Sequence, residues 1–153
     1  MEWDYEFDVV VVGSGNGALT AALCSHDGGA KTLVIEKSSQ FGGTSATSGG
    51  GVWIPNNRYA KAENVDDSDQ DARDYINSVS PEGMIKDELI ETYISEGPRM
   101  VDYLHENSQV KYRNLAHYPD YFPDNTGGKE GNRSMEPEPI FGTELGDDLG
   151  KLR

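Results

Sequence analysis

The first strong pattern along the chain is a short apolar run, Phe7-Asp8-Val9-Val10-Val11-Val12, which stops abruptly at Gly13. Such a run, rich in valine and stopped by glycine, predicts a strand. Leu19-Thr20-Ala21-Ala22-Leu23-Cys24 then has helix composition, and Thr32-Leu33-Val34-Ile35 forms a second apolar run ending at Glu36. Residues Phe7 to Lys37 therefore read as one β-α-β unit. Farther along, Ala72, Tyr75, Ile76 and Val79 fall on one face of a helix over Asp71–Val79. Ser80-Pro81-Glu82 supplies a capping residue with proline at the first helical position, which predicts a further helix through Leu89, Ile90, Tyr93 and Ile94. Gly97-Pro98 predicts a break or kink in it. Met100, Val101 and Leu104 carry the apolar face on to a stop near Asn107. Val110-Lys111-Tyr112-Arg113 has the character of a short strand, and Gly127 to Pro139, rich in glycine, proline and charge, that of a mobile loop. The last ten residues, Glu144 to Arg153, show neither a helix cap nor a closing strand, as if cut inside a longer reading frame.

The punctuation between the first strand and helix carries chemistry. Gly13-Ser14-Gly15-Asn16-Gly17-Ala18 has the spacing at which one glycine permits the tight turn, the next admits a pyrophosphate against the backbone, and a small residue lets the helix pack close to the sheet. Free N–H groups and the positive end of the helix dipole would face the phosphate. Glu36 stands roughly 20 residues after the glycines, where an acid that grips a ribose hydroxyl is expected. That acid disfavours a 2′-phosphate, so FAD or NAD is expected rather than NADP.

The stretch after Glu36 distinguishes flavin from nicotinamide. Lys37 to Pro55 contains Phe41-Gly42-Gly43-Thr44-Ser45-Ala46-Thr47-Ser48-Gly49-Gly50-Gly51, where a nicotinamide domain would run into another helix and strand. Small residues let backbone lie against a flat ring system, while Thr44, Ser45 and Ser48 offer hydroxyls. The residues expected to hold the cofactor are Gly13, Ser14, Gly15, Gly17, Ala18, Glu36, Lys37, Gly42, Gly43, Thr44, Ser45, Ser48, Gly49 and Gly50.

These segments, V-V-G-S-G-N-G-A-L-T-A-A, V-I-E-K and F-G-G-T-S-A-T-S-G-G-G-V-W-I-P, resemble the amino-terminal part of the FAD-dependent 3-oxosteroid 1-dehydrogenases, or 3-ketosteroid dehydrogenases. These belong to the fumarate reductase/succinate dehydrogenase flavoprotein superfamily. The resemblance is strongest over Val9 to Pro55, and Trp53-Ile54-Pro55 with Tyr118-Pro119-Asp120-Tyr121 points to the steroid enzymes. It implies an α/β fold: the amino-terminal part of a Rossmann-like FAD-binding domain, with helices leading toward a catalytic domain in later segments. Phe7–Pro55 would make the dinucleotide and flavin contacts, 64–107 a helical scaffold, and 108–153 the start of a substrate-facing segment. The implied reaction desaturates the steroid A-ring, with hydride transfer to flavin N5. Tyr121 would be a catalytic tyrosine that supports a general base lying outside this chain, and Tyr118 an aromatic wall against the substrate. By itself the chain is expected to be inactive and to expose apolar strand edges. Asn132-Arg133-Ser134 resembles a Gly-Arg-Ser segment of the family, with Asn132 in place of the glycine. Two other readings are a flavoprotein acting on a small dicarboxylate, which would need an Arg/His clamp, and a non-catalytic nucleotide-binding module.

Composition narrows the partners. The 153 residues carry a net charge of −14, which argues against nucleic acid or an anionic membrane. No apolar run approaches the ~20 residues that span a bilayer. The acidic opening Met1-Glu2-Trp3-Asp4-Tyr5-Glu6 lacks a signal-peptide pattern, and the single cysteine, Cys24, is expected as a small core residue, so a cytoplasmic setting fits. The run Asp66, Asp67, Asp69, Asp71 reads as a solvated face, and His26, His105 and His117 are isolated, so no metal site is expected.

Overall fold

The computed structural model describes residues 3–153. They form two compact units: residues up to Gly50 together with Ile140–Arg153, and Gly51–Pro139.

In the first unit, strand β1 (Val9–Val12) pairs in parallel with β2 (Thr32–Ile35), Val9 opposite Thr32 and Val12 opposite Ile35. Helix α1 (Asn16–Asp27) connects them and packs on both strands. It ends where the Gly28 N–H bonds back to the Cys24 carbonyl and the Gly29 N–H to the His26 carbonyl. Only one sheet face is covered, so exposure alternates along β1 and Val12 is 78% exposed. The valine run is therefore half-buried, not enclosed. Cys24, expected in the core, lies on the outer side of α1 and is exposed, because no position of this helix is fully buried. The carboxy-terminal residues also depart from expectation. Gly142–Lys151 forms 3₁₀ turns broken at Gly146, and Leu152 bridges Phe41, with the Phe41 N–H donating to the Lys151 carbonyl at 2.8 Å.

The second unit is built on a three-stranded antiparallel sheet of β3 (Val52–Trp53), β4 (Tyr112–Asn114) and β5 (Ser134–Pro137), with β5 in the middle. Around it lie α2 (Arg58–Ala62), α3 (Asp69–Val79) and α4 (Asp87–Asn107). The Asn57 side chain caps α2 by accepting from the Tyr59 and Ala60 N–H groups, and Ser68 caps α3 through the Asp71 N–H. One apolar cluster joins Ile54, Val101 and Met135, and another joins Ala72, Ile90 and Ile94.

Four expectations fail here, each for a local reason. Residues 81–86 form turns and α4 begins only at Asp87, with Asp87 and Glu88 in its first turn facing the dipole; Pro81 starts no helix. The helix then continues through Gly97-Pro98. Proline forfeits one backbone bond, but the helix is buried on both sides of Pro98: Ile94 before it packs with Ala72 and Ile90, and Val101 after it with Ile54 and Met135. Gly127–Pro139 is not a mobile loop, since it contains the central strand β5 and the buried Arg133 and Met135. Finally, the acidic run is not simply solvated: Asp67 is buried against Arg133, and Asp71 pairs with Lys129 at 2.9 Å.

The burial pattern sets an expected contrast. Met135→Ala should cost about 3 kcal/mol through the cavity it leaves, whereas Val12→Ala should change the stability of the 153-residue chain by no more than about 0.5 kcal/mol. Urea denaturation of both variants measures this; equal losses would contradict the assignment of the core.

Candidate functional site

The end of β1 and the start of α1 are tied to the end of β2 by one hydroxyl. The buried Ser14 Oγ donates to Glu36 Oε2 at 2.5 Å and accepts the Gly42 N–H at 2.9 Å. The other Glu36 oxygen accepts the Ser38 N–H at 2.9 Å. These bonds hold the Glu36 carboxyl below the usual glutamate range, the Ser14 hydrogen bond being the largest cause. Glu36 is thus an ionised acceptor fixed at the tip of β2. Ser45 Oγ accepts the Asn16 N–H at 3.1 Å, which binds the second glycine-rich stretch to the first turn of α1.

Gly42 is required by two constraints at once. Its φ of +104° disfavours any side chain, and a Cβ there would lie 2.6 Å from the Ala46 Cβ. A Cβ on Gly43 would sit 3.5 Å from the Gly15 Cα, so the two glycine segments run backbone to backbone. By contrast, a Cβ on Gly13 or Gly17 would meet nothing within 4 Å. The α1 terminus consequently keeps open space over first-turn amides, those of Gly17 and Ala18, that have no intrahelical acceptor. Open glycines, helix-start donors and an ionised carboxylate at the neighbouring strand tip fit a dinucleotide's phosphates and ribose. Thr44, Ser48, Gly49 and Lys37 are exposed around this knot, Ser48 Oγ donating to the Ser45 carbonyl at 2.8 Å; Gly50 donates its N–H to Ser48 Oγ at 3.1 Å.

The second unit brings together a different set. Tyr118 is 50% exposed and Tyr121 84% exposed, on either side of the buried Asp120. Asp120 Oδ1 accepts the Trp53 Nε1–H at 2.6 Å, and Oδ2 accepts from Arg133 Nη1 at 2.9 Å and the Lys129 N–H at 3.0 Å. Arg133, 1% exposed, also grips Asp67 through Nε at 3.0 Å and Nη2 at 2.6 Å, and its guanidinium lies 5.4 Å from the Trp53 ring. Burial alone would lower the guanidinium pKa; Asp67 and Asp120 outweigh it and raise it. Trp53 further stacks on Tyr93, and the two line an apolar cavity of about 350 Å³ with Ile76, Ile85, Leu89 and Ile90.

The role of Arg133, Asp67 and Trp53 was not legible in the sequence. One signal was available: Asn132 stands where the resembling segment has glycine, and its φ is +72°, a conformation that asparagine tolerates better than most residues. Among the histidines, His105 Nδ1 meets Tyr59 Oη at 2.8 Å; burial first, then Arg58 and Lys111, lowers its pKa. Among the described residues no group of three His, Cys, Asp or Glu side chains is placed to hold a metal, and no helix is long and apolar enough to cross a membrane.

A family model for the FAD binding domain matches residues 8–152. The 3-oxosteroid 1-dehydrogenase of Mycolicibacterium smegmatis is 42% identical over 147 residues, which is 96% of this chain and 26% of that protein. The 4-oxocyclohexanecarboxylate 2-dehydrogenase of Sinomonas cyclohexanicum is 40% identical over 132 residues, 86% of this chain and 23% of that protein. A crystal structure of 3-ketosteroid delta1-dehydrogenase from Sterolibacterium denitrificans, in complex with 1,4-androstadiene-3,17-dione, matches with a TM-score of 0.90 and 41% identity, covering 96% of this chain and 26% of that one. The chain thus spans about a quarter of the length of these relatives.

The Ser14 bond makes a pH-dependent prediction. Because the folded Glu36 pKa is depressed below about 4.5, its contribution to stability is present above that pH and lost as pH falls through the folded value. Ser14→Ala should raise the Glu36 titration, seen by carboxyl-carbon NMR, and its stability gap from the parent should shrink on acidification. A Glu36 titration that does not move would contradict the assignment.

Proposed function

The chain belongs to the FAD-binding-domain family, and we propose that it forms the amino-terminal part of an FAD-dependent dehydrogenase that desaturates a 3-oxosteroid next to its ketone. The observation that carries the cofactor reading is the Ser14 knot, which holds an ionised Glu36 beside open helix-start amides. Glu36 accepts from ribose hydroxyls, and the Gly15, Gly17 and Ala18 amides bind phosphate. Gly42, Gly43, Thr44, Ser45, Ser48, Gly49 and Gly50, with Lys37, supply the remaining contacts. When bound, FAD supplies a two-electron acceptor for hydride from the substrate.

The substrate reading rests on the steroid dehydrogenases among the similar proteins and on the exposed phenols at Tyr118 and Tyr121. Tyr118 forms part of the wall against the steroid. Tyr121 hydrogen-bonds to a general base carried elsewhere in the enzyme and stabilises the charge that forms as a proton leaves the carbon beside the ketone. The 4-oxocyclohexanecarboxylate dehydrogenase supports a second substrate, a single-ring ketone, for the same chemistry. A net charge of −14 favours a small-molecule substrate over nucleic acid, and a cytoplasmic enzyme accords with the single cysteine.

Anaerobic mixing of the flavin-loaded enzyme that contains this chain with each ketone decides among these. A 3-oxosteroid is expected to bleach the flavin absorbance, and Tyr121→Phe to slow the bleaching by about 10²-fold. Bleaching by 4-oxocyclohexanecarboxylate alone would select the single-ring substrate, and bleaching by neither would refute ketone desaturation.

A further inference from the structure

The loop from Leu115 to Lys129 turns Tyr118, Tyr121 and Phe122 outward and Asp120 inward. Its neck is closed twice by the same pair of residues: the Asp120 N–H donates to the Lys129 carbonyl at 3.0 Å, and the Lys129 N–H donates to Asp120 Oδ2 at 3.0 Å. Arg133 reaches both strands of this neck, donating from Nη1 to Asp120 Oδ2 and to the Gly127 carbonyl at 2.8 Å. A side chain at Gly127 is excluded, because a Cβ there would lie 2.1 Å from the Asp71 carbonyl oxygen and the residue's φ is +77°. Asp67 holds the other edge of the guanidinium, and the Asn56 and Ser68 N–H groups donate to it at 3.1 and 3.0 Å. The Phe122 N–H completes the frame by donating to the Tyr75 hydroxyl at 3.3 Å.

We propose that the Arg133–Asp67–Asp120 cluster, with Trp53, positions the substrate-facing phenols. The buried charges set the backbone of residues 118–122, so that Tyr118 and Tyr121 stand preorganised although both rings are exposed in this chain. Arg133 is a positioning residue: it touches Asp120 and the Gly127 carbonyl and acts on turnover through them. Lysine, a point charge without the fork, cannot hold Asp67 in two places and also reach Asp120 and Gly127. The inference rests on the active-site reading of Tyr121.

The test compares Arg133→Lys with the parent in the flavin-loaded enzyme that contains this chain, with 3-fluorotyrosine incorporated and the Tyr118 and Tyr121 signals assigned by Tyr→Phe variants. Positioning predicts unchanged flavin content, kcat lower by about 10- to 100-fold, a KM for the steroid raised as Tyr118 leaves the substrate wall, and Tyr118 and Tyr121 fluorine signals moved toward those of an unstructured peptide. Asp120→Asn, isosteric and still able to accept from Trp53 Nε1, should repeat the pattern. Unchanged kcat and fluorine signals in a folded, flavin-loaded Arg133→Lys enzyme would overturn the proposal. So would failure of both variants to fold or take up flavin, because the cluster would then be structural only. If the fluorine signals move while Tyr121→Phe turns over normally, the loop is positioned but Tyr121 is not catalytic, and the underlying reading fails separately.

Discussion

A guanidinium removed from water must be met by charge within reach, and Arg133 is met on three sides. Asp67 takes two of its nitrogens, and Asp120 with the Gly127 carbonyl takes the third. The cost of desolvating these ions is large, and mutual attraction repays it only when the remaining hydrogen-bonding capacity is also filled. Here the carboxylates are completed by the Trp53 indole and by the N–H groups of Asn56, Ser68 and Lys129. One residue therefore joins four segments of the second unit that are remote in sequence. Removing a single partner from such a cluster costs about 3–5 kcal/mol, a large fraction of the stability of a small domain.

The first unit solves a smaller version of the same problem. Ser14 Oγ acts as donor and acceptor together, joining the turn after β1, the tip of β2 and the Gly42 turn. Its strength is modest, because Glu36 is partly solvated; its value is geometric. The carboxylate stays ionised and its direction is set by two donors on its own protein. Gly42 and Gly43 then bring the second glycine-rich stretch alongside Gly15.

Local pattern carried the legible part. The β-α-β unit follows from two apolar runs separated by a helix, and α3 from the spacing of Ala72, Tyr75 and Ile76, because periodicity and burial report on neighbours within a few residues. Proline was the weaker guide. Pro81 predicts a helix start and lies in a turn, whereas Pro98 predicts a break or kink and lies within a continuous α4, where burial on both sides outweighs one lost bond. The Arg133 cluster was illegible for a different reason: it pairs residues 66 and 13 positions apart, and a single sequence contains no rule for matching one arginine with two of its many acids. Gly127–Pro139 looked mobile because glycine and proline were counted without the buried cation that orders them. The Ser14 knot is half legible, since the glycine spacing assigns Ser14 and Glu36 to cofactor contact but says nothing of contact between them.

The proposed seat of FAD is the first unit's knot of Ser14, Glu36 and Gly42. Amide chemical shifts of the isotope-labelled chain, followed while FAD is added, test it residue by residue. Binding there is expected to give saturable shifts at Gly13, Gly15, Gly17, Ala18, Glu36 and Gly43. Unmoved amides at those positions, or shifts confined to residues 51–139, would contradict it.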